Sequence, residues 1–176
     1  MMKKEKSSAG KIALAGMLAA LGVVILFAGY ATGIMDLTAL AVSSVLTAIA
    51  VVELGGAYPY LVWAVTGVLA FILIPGPLAA EYVIFGGIYP MLKIHFERFG
   101  RILEWVAKLT YGAVVLGVMY LLSRFIFGDL EETGLLLVAL GVGYAVFFVV
   151  YDYALSVAMT VYMRRLRPKL TFLKRL

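Results

Sequence analysis

From Ile12 to Ile34 the chain carries no charged side chain, and five more apolar runs follow it. The hydrocarbon core of a bilayer is about 30 Å thick, so a helix that crosses it needs roughly 20 consecutive apolar residues. The runs occupy residues 12–34, 37–54, 58–74, 78–94, 105–127 and 134–163. Only 14% of the residues are charged and 64% are hydrophobic. A soluble domain carries about 25% charged residues. So little charge cannot cover a water-facing surface, and lipid is the solvent this composition suits. The expected fold class is therefore an all-α membrane protein, a single polytopic transmembrane domain over residues 1–176.

Punctuation supports these limits. Asp36 stands before the second run as a helix start, and Gly55-Gly56 follows it as a helix stop. Pro75-Gly76-Pro77 excludes a continuous helix from the third run into the fourth. The fourth run is the least regular, because it holds Glu81, Gly86-Gly87 and Pro90. A bent or partly re-entrant segment is expected there, which a membrane tolerates only where protein satisfies the backbone. The first run competes with a cleaved signal peptide. Its length and the runs after it favour a retained helix.

Charge sets the orientation. With six spans and a cytoplasmic N-terminus, the inner segments hold Lys3, Lys4, Lys6 and Lys11, then Lys93, Arg98, Arg101 and Lys108, then Arg164, Arg165, Arg167, Lys169, Lys174 and Arg175. Those are fourteen of the fifteen basic residues, with Arg124 alone outside. Asp36, Glu81, Asp129, Glu131 and Glu132 fall on the outer side. Removing the fourth span would put the middle and C-terminal basic segments on opposite faces, so the positive-inside rule favours six, both termini in the cytoplasm. The same distribution explains the net charge of +5 as topology and not as a nucleic-acid surface. The stretch KIHFERFGRILE from Lys93 reads as an interfacial amphipathic segment.

Several chemistries are excluded by residue type. The chain has no cysteine, so thiolate catalysis and cysteine-ligated metals are absent. Its one histidine, His95, sits in a basic segment without triad or metal partners. No GxSxG, HExxH or phosphate loop occurs. The expectation is a protein that is not an enzyme and needs no cofactor or metal.

Ionisable residues within apolar runs each need a reason. Depth along the runs predicts inner-side ion pairs, Asp152 with Lys108 and Glu53 with Lys93 or Lys11. Ser43, Ser44 and Thr47 are expected to bond their own backbone or a neighbouring helix. A second group maps to the outer half: Tyr30, Asp36, Glu81, Tyr82, Tyr120, Arg124 and Tyr144. Singly, tyrosines there make an aromatic belt. Together with two acids and an arginine they form a candidate pocket for a small planar ligand. In the first run Ala15 and Ala19, like Gly16 and Ala20, stand four apart, the spacing that lets another helix approach closely.

Six runs, this length, both termini inside and the Ala15–Ala19 pair at the cytoplasmic end of the first run resemble the substrate-binding S components of energy-coupling factor (ECF) transporters. The resemblance implies a bacterial inner-membrane subunit for vitamin uptake, with a small-molecule site near the outer face. It also implies docking through Ala15 and Ala19 onto a transmembrane coupling subunit that works with an ATPase pair. The alternative is a non-transporting scaffold of the cell envelope, similar to rod-shape-determining membrane proteins.

Overall fold

The computed structural model describes residues 8–98, 100–127 and 134–169. The basic residues Lys3, Lys4, Lys6, Lys174 and Arg175 and the acidic loop with Asp129, Glu131 and Glu132 lie outside them. Every regular element among the described residues is helical: α1 (Ser8–Thr32), α2 (Asp36–Glu53), α3 (Tyr58–Leu73), α4 (Leu78–Glu81), α5 (Tyr89–Phe96), α6 (Arg101–Phe127) and α7 (Gly134–Val161). Two π-helical turns interrupt the pattern, Tyr82–Gly86 between α4 and α5 and Tyr162–Leu166 after α7. Four helices, Ser8–Thr32, Asp36–Glu53, Ile102–Leu122 and Gly141–Leu166, are long and apolar enough to cross a membrane, and Tyr58–Leu73 is a shorter apolar helix. Large apolar side chains point outward along them, Met17, Val24 and Ile72 each more than 60% exposed. That is the reverse of a water-soluble surface and is compatible with a multi-pass membrane protein.

The chain forms two compact units, Met1–Leu92 with Leu155–Leu176, and Lys93–Ala154. In the first, α1 packs along both α2 and α3. The contact is close because α1 presents small residues inward. Ala15 and Ala19 are buried with Leu14 and Leu18 against Leu46 and Ala50 of α2 and Val62 of α3. Farther along, a methyl group on Gly22 would stand 3.1 Å from the Ser43 hydroxyl, and one on Gly29 would collide with Ala39. The α2–α3 turn reverses through Gly55 and Gly56, at φ +64° and +58°, a left-handed pair that residues with a Cβ avoid.

The fourth apolar run is not one α-helix. It is the single turn α4, the π-turn Tyr82–Gly86, and α5. Such a break frees carbonyls, which in an apolar interior must be bonded. Two side chains do this. Trp63 of α3 donates its indole N–H to the Val83 carbonyl at 3.0 Å, and Ser44 of α2 donates to the Gly86 carbonyl. Gly67 and Gly87 make room, since methyl groups there would meet the Val83 side chain at 2.6 Å and the Trp63 ring at 2.5 Å.

In the second unit α5 ends at Phe96 and α6 begins at Arg101. The expected interfacial stretch is thus divided between the end of α5 and the start of α6, which begins four residues before its apolar run. Gly112 of α6 lets the buried Phe148 ring of α7 lie against it, at 3.5 Å from where a Cβ would stand.

Candidate functional site

Three polar constellations stand out against an otherwise apolar chain. The first is a group of hydroxyls inside the first unit. Ser43, Thr47, Thr66 and Tyr82 are each no more than 1% exposed. Ser43 donates to the Gly22 carbonyl at 3.5 Å and Thr66 to the Ala19 carbonyl at 3.3 Å. Thr47 shares a hydrogen bond with the Tyr82 hydroxyl at 3.0 Å. Of the two expected alternatives, their own backbone or a neighbouring helix, Ser43, Ser44 and Thr47 each take a partner on a neighbouring element. Each such bond inside a membrane bundle is worth about 0.6 kcal/mol on average.

The second constellation is an acid pair in the same unit. Asp36 opens α2 and Glu81 closes α4, and the two carboxylates lie within electrostatic range of each other. One oxygen of Asp36 is buried with no hydrogen-bond partner among the described residues. A buried carboxylate oxygen without a donor costs free energy until a donor or cation reaches it.

The third lies in the second unit, where two lysines converge on one aspartate. Lys93 of α5 contacts one carboxylate oxygen of Asp152, and Lys108 of α6 meets the other at 3.0 Å. Glu104 pairs with Lys108 at 2.7 Å, and Glu97 reaches Lys93 at 3.1 Å. The Lys108 ammonium also lies 5.6 Å from the Trp105 ring centre, close enough for a cation–π contact. The buried members are Lys108, Lys93 and Asp152, with side chains 2%, 9% and 9% exposed, while Glu97 is 45% exposed. The expected Asp152–Lys108 pair is present. Within its own unit Lys93 turns to Asp152 and Glu97, and no Glu53–Lys11 ion pair occurs among the described residues. Glu53 instead accepts from Arg167 at 2.7 Å and from the Tyr162 hydroxyl at 3.3 Å. The π-turn after α7 carries Tyr162 and leads directly into Arg167, which fixes both donors relative to one carboxylate.

The seven expected binding residues divide between the units. Tyr30, Asp36, Glu81 and Tyr82 belong to the first, and Tyr120, Arg124 and Tyr144 to the second. Tyr30 is 38% exposed near the end of α1, its ring 6.4 Å from that of Phe27. Tyr82 is fully buried and committed to Thr47, so it supports the interior. Tyr120 and Arg124 lie on the exposed surface of α6. Tyr144 begins an aromatic ladder along α7, its ring 6.5 Å from Phe147, which stacks on Tyr151 at 6.1 Å.

Ala15 and Ala19 are 7% and 2% exposed and face α2 and α3 of their own chain. The other pair of that spacing, Gly16 and Ala20, lies on the exposed side of α1. Sequence spacing therefore located a close helix contact and not which helix makes it. Among the described residues no group of His, Cys, Asp and Glu could hold a metal ion. Comparison with known protein families finds no match, and neither curated proteins nor solved structures give one.

Proposed function

We propose that the chain is a six-span membrane protein with both termini in the cytoplasm, and that it works as a substrate-binding subunit of an ECF-type importer. The observation that carries the binding reading is the acid pair. Asp36 and Glu81 lie at the end of the first unit that the charge distribution assigns to the outer face. One Asp36 oxygen has no donor, and among the described residues neither carboxylate forms an ion pair. A small molecule with a positively charged group would supply what both lack. The exposed Tyr30 ring, near the same end of α1, suits a planar or cationic ligand. The chain itself does no chemistry on such a ligand. Uptake would use a coupling subunit and an ATPase pair, since no nucleotide-binding motif occurs here.

Docking to that partner is proposed through the outward face of α1, where Gly16 and Ala20 would let a helix approach, and not through the covered Ala15 and Ala19. Affinity purification from native membranes, with mass spectrometry of proteins and of extracted small molecules, tests the reading. ATPase subunits and an amine-bearing compound are expected with the wild type. The compound should be lost on Asp36→Asn with Glu81→Gln while the subunits remain. Recovery of cell-wall assembly proteins, with no ATPase and no ligand, would instead favour an envelope scaffold.

A further inference from the structure

The cations that follow α7 are not used by the binding reading. The last helix long and apolar enough to cross a membrane closes at Leu166, and Arg164, Arg165, Arg167 and Lys169 crowd that end, all exposed. The backbone that carries them is pinned at two points. Tyr162 is buried and donates its hydroxyl to Glu53 at 3.3 Å. Arg167 meets the same carboxylate oxygen at 2.7 Å. Glu53 is the last residue of α2, so the π-turn Tyr162–Leu166 is held against the end of that helix. Arg164 and Arg165 lie between the two anchors, and Lys169 stands just beyond the second.

The ordinary uses of a cation at a helix end leave three of these four free. One use is ion pairing, and among the described residues only Arg167 of the four has a carboxylate. Four cations against Glu53 leave three positive charges in excess. Lys93 and Lys108 differ, because their own carboxylates cover them, with side chains 9% and 2% exposed. A second use is capping the last carbonyls of the helix. Backbone groups do that here: the Arg167 N–H donates to the Tyr162 carbonyl at 2.9 Å and the Lys169 N–H to the Leu166 carbonyl at 3.0 Å. Topology asks only that such charges stay on the inner side. It does not ask that they stand on a turn fixed by two contacts.

The same turn exposes apolar side chains. Met163 and Leu166 are 46% and 51% exposed and alternate with the arginines. A segment that ends a span and mixes apolar with cationic side chains suits the boundary between acyl chains and headgroups, where arginine stems lie along the apolar layer and the charged heads reach outward. We infer that Arg164, Arg165 and Lys169, presented on this anchored turn, form a docking surface for anionic phospholipid headgroups in the leaflet at that end of α7, the cytoplasmic one in the proposed topology. Guanidinium groups give two parallel N–H donors to a phosphate. The three excess charges select a headgroup with net negative charge, because a zwitterionic one brings its own ammonium. Each basic residue near an anionic surface is worth roughly a fivefold preference at low salt. This inference needs the chain to cross a membrane and does not depend on the importer reading.

In the test, the full-length protein is held on an affinity column and washed with detergent micelles that carry phosphatidylglycerol and phosphatidylcholine at equal mole fraction. The lipids eluted with it are then quantified. A preference for phosphatidylglycerol of roughly fivefold or more is expected at low salt, falling toward one at about 1 M salt, where charges are screened beyond about 3 Å. Arg164→Gln with Arg165→Gln and Lys169→Gln should bring phosphatidylglycerol down to the level of phosphatidylcholine. Arg98→Gln, which removes an exposed cation of the second unit, should leave the preference in place. A wild-type ratio near one, or a ratio unchanged in the triple variant, overturns the inference. A loss in Arg98→Gln as large as that in the triple variant overturns its location. Release of phosphatidylglycerol by inorganic phosphate at matched ionic strength would mark a site for the free anion and overturns the lipid assignment. Should the triple variant not fold, the three single variants decide in its place, each expected to lower the ratio, and an unchanged ratio in all three overturns the inference.

Discussion

Replacing Asp152 with Asn should be the most damaging single change in the second unit. Both carboxylate oxygens of Asp152 hold lysines, Lys93 on one and Lys108 at 3.0 Å on the other. At an effective dielectric constant near 20, one charge pair at 3 Å is worth about 5 kcal/mol before desolvation is subtracted. Removing one member of a buried pair costs about 3–5 kcal/mol when the other charge is stranded. Here stranding is incomplete, since Lys108 keeps Glu104 at 2.7 Å and Lys93 keeps Glu97 at 3.1 Å. The expected cost of Asp152→Asn is therefore below that range, about 2–3 kcal/mol. Lys93→Met and Lys108→Met should each cost less, about 1–2 kcal/mol, because Asp152 then retains the other lysine. Lys93→Met, Lys108→Met and Asp152→Leu combined, with Glu97→Gln and Glu104→Gln so that no acid is left unpaired, should lie close to wild type, as apolar replacement of a whole buried ionic group often does. Unfolding in mixed micelles titrated with SDS would measure the series, with Trp105 fluorescence reporting locally because the Lys108 ammonium lies 5.6 Å from its ring. Wild-type stability of Asp152→Asn, or a larger loss from Lys108→Met than from Asp152→Asn, would refute this reasoning.

Other perturbations probe other contacts. Trp63→Phe keeps an aromatic ring but leaves the Val83 carbonyl of the π-turn without its donor, so a loss of about 1–2 kcal/mol in micellar unfolding is expected. Gly87→Ala would press a methyl against the Trp63 and Tyr82 rings and should cost about 1–3 kcal/mol in the same assay. Arg167→Gln should cost about 1 kcal/mol in wild type and nearly nothing beside Glu53→Gln, a non-additivity that a double-mutant cycle reads directly. Ala19→Trp should lower folded yield through the core it would overfill. Gly16→Trp with Ala20→Trp should fold normally and lose any coupling partner, as judged by size-exclusion chromatography and pull-down.

Elements bounded by local chemistry were legible in the sequence. Asp36, Gly55-Gly56 and Pro75-Gly76-Pro77 mark the ends of α2 and α3 to within a residue or two, although Met35 and not Asp36 stands at the N-cap position and no side chain caps that end. The irregularity of the fourth run was also legible, through Gly86, Gly87 and Pro90. Its π-turn was not, since that depends on Trp63 and Ser44 reaching across from other helices. Depth counting along the runs found Asp152 with Lys108, both fixed in level by their helices. It missed Arg167 as the partner of Glu53, because a residue beyond the last apolar run has no level until the turn before it is known. In the same way Ala15 and Ala19 announced a tight contact, while the helices filling it, α2 and α3, emerged only from the packing. Of the candidate binding residues, Asp36 and Glu81 lie within electrostatic range of each other and Tyr82 belongs to the interior, a distinction that residue type and depth do not carry.

The proposed arrangement of six spans with both termini inside is directly measurable, because the chain has no cysteine. Single cysteines at Ser7, Gly100, Thr133 and Thr171 would be treated with a membrane-impermeant thiol reagent in intact cells, then again after permeabilisation. Thr133→Cys should react from outside, and the other three only after permeabilisation. Labelling of Gly100→Cys in intact cells would contradict six spans with both termini inside.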